Sequence, residues 1–259
     1  MAINKKLIHF KNKDNFDAEV ANGNILDSSI VFIQDSKEIS THGTIYKSVN
    51  WSVLEKPELY EWVDLGLPSG LKWASCNVGA EKPEEFGLYF AWGETQGYEG
   101  ITDTKKFSWA DYKLCGGSSS TLTKYNNKSS YGTVDNLTTL EQVDDAAYTS
   151  DKTCRMPTKA ELEELTANTT STWETLNSVN GRRFTSKTNG NSIFVPAAGS
   201  CHDGSVGRVG SYGYLWSSSL DEKNSRPAWS LGFGSDNVSM GNYIGRCDGF
   251  TVRAVKSNN

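Results

Sequence analysis

From Arg182 to the end the chain never sustains an apolar run longer than a short strand. "SIFVP", "GYLWSSSL", "AWSLGFGS", "NVSMGNY" and "GFTVRAV" follow one another, separated by Gly, Ser and Asn. This punctuation excludes long helices and demands short strands joined by tight turns. "RFTSKTNGNSIFVPAAG" reads as a hairpin turning at Asn189-Gly190, where glycine tolerates the positive φ that such a turn needs. The 24 glycines of the whole chain fit the same architecture.

The first fifty residues differ in texture. "KKLIHF" predicts a strand, and "DNFDAEVANG" a short helix with Asp14 as N-cap and Gly23 as its stop. "SSIVFIQDSKEISTHGTIYK" predicts two or three further strands, with His42 in a turn. Residues 1–55 are thus expected to form a small α/β module, too poor in apolar mass to stand alone and suited to attachment or oligomerisation. Residues 49–62 read as a connector, and residues 60–259 as the main domain.

Within that domain, "EWVDLGLPSGLKWASCNVGA" predicts a hairpin around Pro68-Ser69-Gly70, and "EEFGLYFAWGE" another strand. Residues 113–136 are polar and aperiodic, as in a long surface excursion. Two helices are expected next. "TTLEQVDDAAY" offers Thr138 and Glu141 as a capping box, with Leu140, Val143 and Ala147 on one face. "PTKAELEELTAN" offers Thr158 as N-cap, Glu161 at N3, and Leu162 and Leu165 as the apolar stripe. Asp144-Asp145 and Glu163-Glu164 read as solvated acidic faces rather than catalytic pairs. Trp73, Trp92 and Trp216 are expected in the core.

The net charge of −5 shows no basic stripe, which argues against nucleic acid as a partner. No run is long enough for membrane insertion. The apolar stretch Leu7–Phe10 is too short for a signal peptide, so assembly inside the cell is expected. Five cysteines at wide spacing, with no CxxC, predict free thiols and no structural metal; a Cys201–Cys247 pair stays open. No nucleophile-elbow, zinc-protease, phosphate-loop or dinucleotide motif is present, and no cofactor is expected.

One late segment obeys neither pattern. "YIGRCDGF" (243–250) mixes an aromatic, an aliphatic, a guanidinium, a thiol and a carboxylate without regard to burial. Its setting supplies a reason. In order, "VDLGLPSGLKWASCNVGA", "PEEFGLYFAWGET", "CRMPTKAELEEL", "NGNSIFVPAAG", "GYLWSSSL" and "GFTVRAV" resemble the Fibrobacter-succinogenes-major-paralogous domain of gut Bacteroidetes, from about Val63 to Val255. The resemblance implies an α+β, C-type lectin-like fold in its formylglycine-generating-enzyme-like version. It also implies a target of diversity-generating retroelements, with a variable region at about 200–250. The N-terminus resembles the start of tail or fibre proteins in phages of Bacteroides.

The resemblance makes Arg246, Gly249, Phe250, Val252 and Arg253 fixed scaffold. It makes Tyr212, Tyr214, Arg226, Trp229, Ser230, Tyr243, Ile244, Cys247 and Asp248 displayed ligand-binding residues, with His202, Arg208, Leu215, Gly232 and Gly234 as weaker members. Exposed Tyr, Trp and Arg on a rigid scaffold give large contacts at low entropic cost. Trp229 keeps a second reading: it alternates with Leu231 and Phe233, and if that face is core it is packing. The "HDG" turn at His202-Asp203 does not make a metal site by itself. The late region lacks the acidic or amide-Pro tripeptide that would position calcium.

The implied function is recognition of a bacterial surface receptor, protein or glycan, by a homo-oligomeric tip of a phage or prophage tail fibre. Residues 1–55 would join it to virion or tail components. The alternatives are a cell-associated adhesin of the bacterium, and an enzyme using Cys201 and Cys247 as formylglycine-generating enzymes use a cysteine pair; neither cysteine lies in a matching motif.

Overall fold

A computed structural model describes residues 59–241 and 245–257, together with the backbone of four strands among the first 58 residues. The chain divides into two compact units, Met1–Glu58 and Leu59–Asn259.

In the first unit, β1 (Leu7–Phe10), β2 (Ile30–Ile33), β3 (Glu38–Thr41) and β4 (Thr44–Tyr46) form one sheet in that order. β1 and β2 run parallel, while β2–β3 and β3–β4 are antiparallel. A parallel pair needs a crossover connection. The helix expected at 14–23 falls in that crossover, and both it and the His42 turn lie outside the described residues.

The second unit is mostly β-sheet with few helices. β5 (Trp62–Asp64) and β6 (Lys72–Ala74) form the expected hairpin, in whose turn Gly70 N–H donates to the Leu67 carbonyl at 2.9 Å. The strand expected over 84–94 is only β7 (Tyr89–Phe90). The expected helix at 138–148 is a correction. Thr138 and Glu141 do not cap it. Instead, a single 3-10 turn covers Gln142–Asp144, and α1 is confined to Ala146–Ser150. Asp145, expected in solvent, is buried as its N-cap and also accepts the Met156 N–H. Val143, expected on the apolar face, is 73% exposed. Two acids in this stretch are tied outside it: Glu141 and Asp144 both hold Lys124.

The second helix forms as expected. α2 (Lys159–Asn168) begins with a capping box between Thr158 and Glu161, and Arg155 grips the Glu161 carboxylate with both terminal nitrogens. Leu162 and Leu165 are fully buried, each stabilising by about 1.5–3 kcal/mol.

β8 (Thr169–Leu176), β9 (Val179–Ser186) and β10 (Ser192–Pro196) then make an antiparallel sheet in the order β10-β9-β8. The hairpin at Asn189-Gly190 is present, though its loop runs the full five residues between the strands, with Gly190 at φ +77. β11 (Ser200–His202) and β12 (Ser205–Gly207) form a small hairpin.

β13 (Gly213–Leu220), β14 (Ala228–Phe233), β15 (Val238–Gly241) and β16 (Phe250–Thr251) complete the largest sheet, ordered β15-β14-β13-β16-β7. β17 (Val255–Lys256) pairs with β6, so the two ends of this unit share a sheet.

Trp73, Trp92 and Trp216 are all in the core, as expected. So are Arg246, Phe250, Val252 and Arg253. Each guanidinium is buried because carbonyls receive it: Arg253 reaches Ala74, Ser75 and Phe194, and Arg246 reaches Lys124 and Tyr125. The segment 113–136 is accordingly more than a surface excursion. Leu122, Tyr125 and Asn126 are buried within it, and the Asp135 carboxylate ties down the Tyr125 and Asn126 amides.

Candidate functional site

The β11–β12 hairpin presents alternate side chains to its two faces, as strands must. Cys201 faces inward and is buried, whereas Ser200, His202, Ser205 and Gly207 share the other face. That face forms one wall of a cavity of about 510 Å³. Opposite stand Arg208, Tyr214, Gly245 and Asp248.

Gly249 brings the two walls together. Its backbone pairs with Cys201 in both directions at 2.9 Å, and a Cβ there would stand 2.6 Å from Phe107 Cε1. Only glycine allows the last turn of the chain to lie this close beneath the hairpin. The hairpin tip is held from below: Asp203 N–H donates to the Phe107 carbonyl and Gly204 N–H to that of Lys106.

At the floor, Asp248 is 1% exposed. Its Oδ1 lies 2.7 Å from His202 Nδ1, and its Oδ2 is buried with no hydrogen-bond partner. The carboxylate raises the pKa of the His202 imidazole, and burial raises that of Asp248 itself. At the rim, Arg208 donates to the Tyr214 hydroxyl at 2.7 Å and lies over the Tyr212 ring, 5.3 Å from its centroid. Tyr212 stacks on Tyr214, and Tyr214 on Phe250, so an aromatic ladder runs from the surface into the core. Asp203 and Arg208 adopt positive φ, at 42° and 63°, a conformation that costs an L residue with a side chain as large as arginine's.

The structure gathers five of the expected residues here: His202, Arg208, Tyr212, Tyr214 and Asp248. Tyr212, His202 and Arg208 are exposed as expected. The others need correction. Tyr214 is buried in β13 with its hydroxyl at the cavity, Leu215 is core, and Ser230 is 7% exposed. β13 lies between β14 and β16 with both faces covered, so alternation exposes neither face. Cys247 and Asp248, expected on display, are buried because the turn that Asp248 N–H closes onto the Gly245 carbonyl tucks under the hairpin. Gly234 is buried and Gly232 half-buried.

Arg226 and Trp229 stand apart from the cavity. Arg226 is half-buried, lies over the Tyr131 ring at 4.3 Å and donates to the Ser119 carbonyl. Trp229 is half-buried under the Lys159 ammonium, 4.1 Å from its ring. Leu231 and Phe233 on its strand are core, so neither reading of Trp229 holds whole. Tyr243 and Ile244 lie outside the described residues. Ser200, Asp203, Ser205 and Gly245 also line the cavity. The polar alternation Ser200/His202 and Ser205/Gly207 about the Asp203-Gly204 turn is the local signal that marks most of them.

All five cysteines are free. Burial pushes the thiols of Cys154 and Cys201 up to about 12 and that of Cys247 upward as well, so none of these three is an activated nucleophile. Among the described residues no group of three or more His, Cys, Asp or Glu could hold a metal ion, and no helix is long and apolar enough to cross a membrane.

The chain matches no family model, no curated protein and no solved structure.

Proposed function

We propose that residues 59–259 are a ligand-recognition domain of C-type lectin-like fold, and that the chain is the receptor-binding tip of a phage or prophage tail fibre. The fold reading is supported by the six ordered motifs, by the pairing of the unit's two ends through β6 and β17, and by α2 packed against a sheet of short strands. One observation carries the recognition reading. Exposed Arg208 and His202 line a cavity, exposed Tyr212 stacks on its Tyr214 wall, and Phe250, Arg246 and Gly249 nearby are fixed in the core. A rigid scaffold under an exposed aromatic and a guanidinium is what a high-quality binding face requires. Residues 1–55 would serve attachment and oligomerisation, adding avidity.

The test uses the full chain on a panel of gut Bacteroidetes isolates. His202→Ala, Arg208→Ala and Tyr212→Ala together should lower cell binding at least tenfold. Arg208→Ala and Tyr212→Ala are surface changes of roughly 0.5 kcal/mol each, whereas His202→Ala leaves the buried Asp248 carboxylate without its partner, so thermal unfolding must show the triple variant folded at the assay temperature. Full binding by this triple variant would refute the placement of the site.

A further inference from the structure

The ligand class follows from the cavity's chemistry, granted the recognition reading above. The lining holds serine hydroxyls, an imidazole, a phenol hydroxyl, carboxylates and a guanidinium, and no aliphatic side chain. A wholly apolar ligand would leave the buried Asp248 Oδ2 unpaired. Asp203 and Asp248 repel a phosphate or other strong anion, and Arg208 repels a strong cation. A neutral group with many donors and acceptors remains.

Asp248 shows what is wanted at the floor. It is nearly wholly buried and lines the cavity, yet Oδ2 accepts no hydrogen bond. A buried polar atom without a partner is costly, and such atoms in a folded protein mark an absent partner. Oδ1 is already served by His202, which leaves Oδ2 as the oxygen for a ligand donor such as a hydroxyl.

We propose that this cavity binds a pyranose ring at the end of a surface glycan, by direct hydrogen bonds and without a metal ion. One hydroxyl donates to Asp248 Oδ2. Arg208 and the Ser200 and Ser205 hydroxyls serve the ring's remaining oxygens, and the outer edge of the sugar rests against Tyr212. The volume of about 510 Å³ admits a single ring rather than a chain lying lengthwise.

The experiment is saturation-transfer NMR on the full chain in EDTA, with methyl α-D-glucopyranoside, methyl α-D-galactopyranoside, methyl α-D-mannopyranoside and N-acetylglucosamine as probes. At least one should bind with a Kd on the order of 1–10 mM. Asp248→Asn keeps the shape but replaces the acceptor and should weaken that binding at least tenfold. Ser205→Phe fills the cavity from an exposed position and should abolish it even if the Asp248 variant folds poorly. Binding of none of the probes, binding that needs added calcium, or binding unchanged in Ser205→Phe would overturn the inference. Cell binding separates the two levels. Loss of binding after periodate oxidation of the cells supports a glycan. Loss after protease but not periodate, still dependent on Arg208 and Tyr212, leaves recognition standing and makes the partner a protein.

Discussion

The ion pair beneath the site makes the sharpest stability prediction. Lys105 Nζ lies 2.9 Å from both oxygens of Glu94 and 3.4 Å from Asp111 Oδ1, with Lys105 and Glu94 at most 3% exposed. Lys105→Met keeps the stem but strands the Glu94 carboxylate, to which only the Lys113 N–H still donates. Removing one partner of a buried pair costs about 3–5 kcal/mol, because the remaining charge stays desolvated. That is a large share of a domain's net stability. Glu94→Gln added to Lys105→Met removes the stranded charge and should recover at least about half the loss. The assay is urea unfolding followed by tryptophan fluorescence, with stability from linear extrapolation. The effect should also reach the cavity, since the neighbouring carbonyls of Lys106 and Phe107 hold the Asp203-Gly204 turn. Amide exchange at 203–204 should accelerate more than at α2. A loss below about 1 kcal/mol for the single change, or no recovery in the double, would refute the reasoning.

Three other outcomes are expected. Gly249→Ala places a methyl 2.6 Å from Phe107 and 2.9 Å from Cys201 Cβ, and should cost about 1–3 kcal/mol by overpacking while lowering cell binding, as thermal unfolding and binding assays would show. His202, its pKa raised by Asp248, favours the fold most when protonated; that contribution is fully present below the ordinary imidazole value of 6.5 and is lost as pH rises through the folded value. The Tm gap between the wild type and His202→Ala should therefore be wider at about pH 5.5 than at about pH 8.5, and an equal gap at both would disprove the pairing. Iodoacetamide at about pH 8 should label only half-buried Cys115 in the native chain and all five thiols in urea, read by intact mass; rapid native labelling of Cys201 or Cys247 would contradict their burial.

Much of the architecture is written locally. β13, β14 and β15, the β9–β10 hairpin and the Thr158–Glu161 capping box each depend on residues near one another in sequence, and their patterns predict them. The helix expected at 138–148 failed because Glu141 and Asp144 take up Lys124, a residue outside any local window.

The site divides along the same line. The Gly-rich turn around Gly213 marked Tyr212 as exposed, and the family resemblance marked His202 and Arg208 for display. Only the tertiary structure set Asp248 against His202, 46 residues away, and stacked Tyr212 on Tyr214 and Tyr214 on Phe250. It also buried Cys247 and Asp248, which the family resemblance had placed on display. The physical reason is that burial of a charged side chain is decided by who receives its hydrogen bonds. Arg246 is received by the carbonyls of residues 124 and 125, and Asp248 by His202, and no pattern within eight residues records such partners.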